Sequence, residues 1–232
     1  MKTMTNSKVL MGTIIAFLLV SCNDDDPIPE MDGDVYYLSR VIEQDTVYAL
    51  GFQVASNVEM VSVSAASTYY PAVNLEMSYS SYFYYDPNDA EYTPEVPYPD
   101  NFVFTAQLLG GEVLSASDQL QNDYLDPVEI VSAEFQGGGS LLAAWNETEG
   151  AEYYQIRLLD QSRNVVYLSQ GLSGQTNSYT ISTGSSEWTD GYTPENEELL
   201  TFEIMAFLYD STNSSGKLQS AAITSLSLNW QN

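Results

Sequence analysis

The sequence predicts an all-β protein made of two tandem β-sandwiches, and three observations predict it. From about residue 34 onward, apolar and polar residues alternate in short runs separated by Gly, Asn, Ser and Pro. That is the pattern of strands half-buried in antiparallel sheets. No helical periodicity lasts longer than about two turns. The chain also matches itself when displaced, the mark of a duplicated unit.

A displacement of 93 lays Val35-Tyr36-Tyr37-Leu38-Ser39 over Val128-Glu129-Ile130-Val131-Ser132, Ala49-Leu50-Gly51-Phe52 over Leu142-Ala143-Ala144-Trp145, and Val58 to Val63 over Ala151 to Ile156. Further on, a displacement of 100 takes over. Ser78-Tyr79 falls on Ser178-Tyr179, Tyr92-Thr93-Pro94-Glu95 on Tyr192-Thr193-Pro194-Glu195, and Phe102, Ala106 and Leu108 on Phe202, Ala206 and Leu208. Nine of the 31 positions between 78 and 108 are identical. Ordinary amino-acid usage would give roughly two, so the match is a repeat with extra residues in the middle of the second copy. The two domains expected are residues 34–126 and 127–232. Asp126-Pro127 forms the junction, since proline holds the residue before it extended.

Within the second copy, residues 127–135 read as a first strand and Ser140–Trp145 (SLLAAW) as a second. A turn at Gly150 leads into a third strand ending near Leu158, and residues 179–181, 200–208 and 221–230 supply three more. This succession, with a core tryptophan ending its second strand, resembles a fibronectin type III domain, one of the immunoglobulin-like sandwiches. The resemblance covers nearly the whole second copy. It implies strands A, B, C, E, F and G in that order. It also implies a tyrosine where Phe202 stands, whose hydroxyl would cap the preceding corner; Phe202 and Phe102 both lack it. Two apolar sheet faces must cover each other, which makes Phe52 and Trp145 the expected core anchors, with Phe104 and Ile204 opposite.

The N-terminus has a different character. Lys2 and Lys8 precede or flank residues 9–20 (VLMGTIIAFLLV), twelve uncharged and mostly apolar positions. A membrane-spanning helix needs about 20, whereas a signal-peptide core is of this length. Leu19, Val20, Ser21 and Cys22 resemble the lipobox of bacterial lipoproteins. The resemblance implies a signal peptide over residues 1–21, cleavage before Cys22 and a membrane anchor through lipid on Cys22. Each buried methylene contributes roughly 0.8 kcal/mol and stable anchoring takes more than one chain, which a diacylglyceryl cysteine provides. The alternative is an unmodified thiol after an ordinary signal peptide. Cys22 is the only cysteine, so it has no disulfide partner in the chain. Residues 22–33 then form an acidic tether: Asp24, Asp25 and Asp26 repel one another, and Pro27 and Pro29 disfavour helix. This run also resembles the export signal of Bacteroidota surface lipoproteins, which implies a place on the outer membrane facing outward.

Composition excludes several functions. The formal charge of −26 becomes −28 once Lys2 and Lys8 are removed, leaving Arg40, Arg157, Arg163 and Lys217 against 32 acidic residues. Nucleic acid is recognised by neutralising phosphates and anionic lipid by basic clusters, so neither is an expected partner. Hydrophobic residues at 44% argue against disorder. The absence of histidine removes Ser-His-Asp and Cys-His nucleophiles and histidine-held metals. Carboxylates alone remain for catalysis, and none sits in a motif. No cofactor and no enzymatic activity are expected.

Eight of the 18 tyrosines lie within residues 69–98. Alternation in Tyr82-Phe83-Tyr84-Tyr85 sends Tyr82 and Tyr84 to one face and Phe83 and Tyr85 to the other. Tyr82, Tyr84, Tyr85, Tyr92 and Tyr98 are therefore the candidate ligand-binding residues, because an exposed ring stacks on sugars or anchors a protein partner. Tyrosine also populates strands for its own sake, and both accounts stand at this point. Acidic loops (Asp86, Asp89, Glu91, Glu95, Asp100; Glu187, Asp190, Glu195, Glu197, Glu198) lack the fixed spacing of a calcium loop and read as solvated charge. Asp45-Thr46-Val47 and Asp210-Ser211-Thr212 look like the short O-glycosylation sequon of Bacteroidota exported proteins. The expectation is a non-catalytic cell-surface lipoprotein acting as an adhesion or protein-interaction module, or else a glycan-binding accessory lipoprotein of a polysaccharide-uptake system.

Overall fold

Alternation along the chain becomes strand almost wherever it occurs. The computed structural model of the protein describes residues 28–212 and 216–232. The segment expected as a signal peptide, Cys22 and the acidic run 23–26 lie outside the described residues. The first half holds β1 (Met31–Ile42), β2 (Asp45–Ser56), β3 (Met60–Ala66), β4 (Val73–Asn74), β5 (Glu76–Tyr79), β6 (Tyr82–Tyr85), β7 (Asn101–Leu108) and β8 (Val113–Gln119). The second holds β9 (Ile130–Phe135), β10 (Ser140–Trp145), β11 (Tyr153–Leu159), β12 (Val165–Leu168), β13 (Leu172–Ser173), β14 (Ser178–Ser182), β15 (Leu199–Tyr209) and β16 (Leu218–Asn229). Among the described residues the only other regular structure is two single 3-10 turns, Asp89–Glu91 and Thr189–Gly191. The protein is all-β. Strand β1 starts at Met31, so the last residues expected as tether are already paired with β2.

In the second half, β14-β10-β9 packs over β12-β11-β15-β16, a fibronectin type III-like sandwich. Leu141, Ala143 and Trp145 alternate inward from β10, and Ile156, Phe202, Ile204 and Trp230 meet them. The edge pieces β12 and β13, which flank β11, were not legible as strands from alternation. In the first half, β4-β3-β7-β8 packs over β1-β2-β6-β5. Strand β7 is strictly alternating, with Phe102, Phe104, Ala106 and Leu108 buried and their neighbours exposed. All four expected anchors, Phe52, Phe104, Trp145 and Ile204, are buried. Gly33 is required by this packing: a Cβ there would lie 2.3 Å from the Phe104 ring.

The repeat holds for β3 and β11 and for β7 and β15, but breaks between them. Ser78-Tyr79 is in the edge strand β5, beyond β6. Ser178-Tyr179 is in β14, directly beside β10. The first half has therefore built a hairpin where the second has one strand.

The two halves share a sheet. β1 pairs antiparallel with β2 along its whole length and parallel with β16, with Tyr37 beside Ser220 and Arg40 beside Ile223. The result is one continuous sheet, β12-β11-β15-β16-β1-β2-β6-β5. Side chains of paired residues point to the same side. Tyr37 belongs to the first core, and Ser39, which pairs with the second core's Ala222, follows it on the same side. Both smaller sheets consequently cover one face of the long sheet. On its other face a small cluster of Leu38, Val47, Ala49, Tyr92 and Ala221 bridges the seam.

Polar groups lock the seam. Lys217 Nζ donates to Gly33 O (2.6 Å) and pairs with Asp32 (3.0 Å) and Asp118 (3.1 Å), using all three ammonium hydrogens. Asp34 Oδ2 accepts from Leu218 N (3.0 Å) and Gln53 Nε2 (2.8 Å), while its buried Oδ1 has no partner. The crossover between halves is sewn down by Gln219 Nε2, which donates to Gln121 O and Asp123 O. It is held further by Ser39 Oγ donating to Leu125 O and by Thr224 Oγ1 donating to Val128 O.

Two expectations follow from the seam. Removing one partner of a buried ion pair strands the other charge and costs about 3–5 kcal/mol. Lys217→Met should lower unfolding stability by an amount of that order in urea titrations, since Asp118 is as buried as the lysine. Burial pushes the Asp34 carboxyl up to about 6, with Asp118 adding to the rise and the Leu218 and Gln53 hydrogen bonds and Lys217 opposing it. Its folded pKa lies above its unfolded one, so this contribution favours the fold below about pH 4 and is lost as pH rises through 6. Asp34→Asn should therefore gain on the native chain by about 2–3 kcal/mol between pH 4 and pH 7, read from urea midpoints at the two pH values.

Candidate functional site

The first sandwich is open at one side. Leu50 and Phe52 belong to its core, and Tyr48 extends their row along β2. Opposite stand Tyr70, Pro71 and Val73, ahead of and in β4. The connection from β6 to β7 forms the third wall, leaving a groove of about 580 Å3. Its lining is mostly tyrosine, proline and aliphatic side chains, with Glu91 and Glu95 as the charged members.

Several devices hold this wall still. Prolines 87, 94, 97 and 99 fix their backbone φ. Tyr48 and Thr93 exchange two backbone hydrogen bonds (2.7 and 2.9 Å), tying the wall to β2. Asn88 caps the turn Asp89–Glu91: its Oδ1 accepts from Ala90 N (3.0 Å), and Glu91 accepts in return from Asn88 N (2.9 Å). Asp100 accepts from Tyr69 N and Asn101 N.

The rings are set by the same contacts. Tyr70 stacks on Phe102 with centroids 5.5 Å apart, and its hydroxyl donates to Tyr98 O (3.2 Å). Tyr85 packs 6.0 Å from Phe52 and donates to Glu91. Burial, then the Glu91 carboxylate, pushes the Tyr85 hydroxyl up to about 12, and that same bond holds the Glu91 carboxyl below its usual range. The Tyr48, Tyr70 and Tyr85 hydroxyls are thus already donated to Asp126, Tyr98 O and Glu91, so the groove presents their rings, the exposed Tyr98 and the Glu91 and Glu95 carboxylates, and no basic side chain lines it.

The five tyrosines expected at a site are not gathered in one place. Tyr85 and Tyr98 line the groove, and Tyr98 is 77% exposed. Tyr82 and Tyr84 point to the opposite face of the sheet from the buried Phe83. There Tyr82 donates to Gln53 Oε1 (2.9 Å) beside a smaller cavity containing Asp34 and Lys217. Tyr92 is buried in the seam cluster with the Arg40 guanidinium 3.7 Å above its ring, and what it leaves open borders a different cavity from the groove. Sequence inspection missed Tyr48, Tyr70, Pro71 and Pro97 as groove residues. The density of proline over residues 87–99 is the signal that marked a rigid wall.

The acidic loops have local tasks. Glu198 accepts from Tyr192 Oη and Glu195 N, and Glu187 from Ser185 Oγ. Asp210 caps Thr212 within its own turn. Among the described residues no group of three or more acidic side chains is placed to hold a metal ion.

No protein-family model matches the chain, and no curated protein matches it. Solved structures similar to it include a two-domain fibronectin type III segment of chicken tenascin (8% identity, TM-score 0.32, 77% of this chain and 91% of that one). A cytokine receptor complex is similar at 10% identity and TM-score 0.31, covering 84% of this chain and 96% of that one. Fibronectin(III)-like modules of Clostridium thermocellum CbhA reach 8% identity and TM-score 0.27, covering 87% and 94%. At such low identity and TM-score these likenesses say nothing of what the chain binds; its fold is established by its own strand order and register.

Proposed function

We propose that this protein is a non-catalytic binding module of the cell surface, held to the outer membrane by lipid on Cys22, and that the tyrosine–proline groove receives a neutral glycan chain. The groove itself carries this conclusion. A sugar ring has an apolar C–H face and a rim of hydroxyls. Tyrosine rings supply flat apolar platforms for the first. Glu91 and Glu95 supply acceptors for the second, and the exposed Tyr98 hydroxyl a donor. The wall is pinned by proline and capping bonds, so little ordering entropy is lost on binding. A surface of net charge −28 disfavours polyanions over most of its area.

A protein partner engaged in adhesion is a second function supported by a specific feature. Strand β5 is an edge strand with all four residues exposed, Met77 and Tyr79 prominently so, and such an edge accepts an added strand.

A screen of neutral polysaccharides against the mature protein should find a ligand whose affinity falls about tenfold or more in Tyr98→Ala and Tyr70→Ala, as for an aromatic anchor. Tyr79→Ala, outside the groove, should leave it unchanged. Failure of every neutral polysaccharide to bind would remove the glycan and leave the β5 edge as the place to look. Mild proteolysis of intact cells should remove the protein while periplasmic controls survive; its protection would place it inside the envelope.

A further inference from the structure

Basic side chains are scarce in this chain, so their positions carry information. Of Arg40, Arg157, Arg163 and Lys217, the three arginines surround one cavity of about 550 Å3 where the halves meet on the open face of the long sheet. Arg40 comes from β1, Arg157 from β11 and Arg163 from the turn that follows β11. Residues 86–89 of the first half close the remaining side.

The three are anchored unequally. Arg157 Nε (2.5 Å) and Arg163 Nη2 (3.2 Å) share the carboxylate of Glu203, whose side chain is 2% exposed and which also accepts from Ser225 Oγ (3.2 Å). Arg40 lies over the Tyr92 ring and has Asp89 as its one ion-pair partner, through one terminal nitrogen, and Asp89 is 82% exposed. The Arg40 Nε is buried with no acceptor. A guanidinium has five donors in a planar fork, and each of these donates once to a carboxylate. The Asp89 end of this pair is open to solvent, so holding that particular carboxylate contributes little, and Asp89 occupies a position that another carboxylate can take.

We propose that this cavity binds a carboxylate-bearing ligand of about monosaccharide size, whose carboxylate replaces Asp89 on Arg40 while its other oxygen reaches Arg163. A monoanion fits better than a dianion because Asp86 and Glu203 also line the cavity. Burial already holds the Asp86 carboxyl above its usual range, against the pull of all three arginines. The site is independent of the neutral glycan proposed above: it lies across residues 86–91 from the tyrosine groove and shares only Pro87 with it.

The test is a titration of the mature protein with sodium D-glucuronate, glucose and sulfate, following arginine Nε–H signals by NMR. Glucuronate should shift the Arg40 and Arg163 signals to saturation, and glucose should not. Arg163→Gln, at a position exposed enough to spare the fold, should weaken glucuronate about tenfold, the loss of one charge-assisted hydrogen bond. Asp89→Ala should tighten it severalfold, and Tyr98→Ala should change nothing. The proposal is overturned if glucuronate shifts nothing in either the native protein or Asp89→Ala, or if glucose acts equally. Tighter binding of sulfate, or weaker binding of glucuronate by Asp89→Ala, also overturns it.

Discussion

Parallel pairing of β1 with β16 is the contact on which the remainder of the molecule depends, and it joins the first strand of the fold to its last. Each strand would otherwise be the bare edge of its own sheet, with a row of unmet backbone groups open to any passing strand. Pairing them hides both edges at once. It also places β1 in the interior of the long sheet, where every residue from Gly33 to Ser39 except the half-buried Tyr36 is buried, the Asp34 carboxyl included. A parallel ladder is slightly weaker per residue than an antiparallel one. Lys217, Asp34, Gln219 and the crossover residues supply the additional hydrogen bonds at this place.

Electrostatics at the seam follow from composition. Two halves that are both strongly acidic repel each other when brought together. The four basic residues after Lys8 all lie where the halves meet: Lys217 between Asp32 and Asp118, and the three arginines around the cavity on the open face. They act as internal counter-ions, concentrated where repulsion is greatest. The outer surface, by contrast, is left almost purely acidic. A chain of this charge thus keeps its halves joined without becoming adhesive toward acidic polymers in general.

Much of the fold was legible because sandwich strands are written locally. The run SLLAAW is β10 to the residue, and the alternation of residues 101–108 is the buried row of β7. Phe52, Phe104, Trp145 and Ile204 reach their cores because period-two patterning fixes which face each occupies. The seam was not legible. No local pattern announces that residues 37–40 will lie beside 220–223, since the pairing is set by long-range geometry. The repeat misled over Ser78-Tyr79 for a related reason: similar residues were reused in the outer strand of a hairpin in one half and in a single strand beside β10 in the other. Of the five tyrosines singled out, Tyr85 and Tyr98 line the groove, whereas the burial of Tyr92 was not legible because it depends on Leu38 and Ala221 from distant strands.

The chain enters the fold through β1, and this has a mechanical consequence. A pull on the residues preceding Met31 acts along a strand clasped on both sides, by β2 over its full length and by β16 over part of it. When the opposing pull comes from a partner gripped elsewhere on the sandwich, β1 is strained lengthwise. The flanking rungs then share the tension together, where a peeled strand would lose them one after another. Tension applied at this interior strand of the continuous sheet would therefore make the whole seam the element that resists extraction.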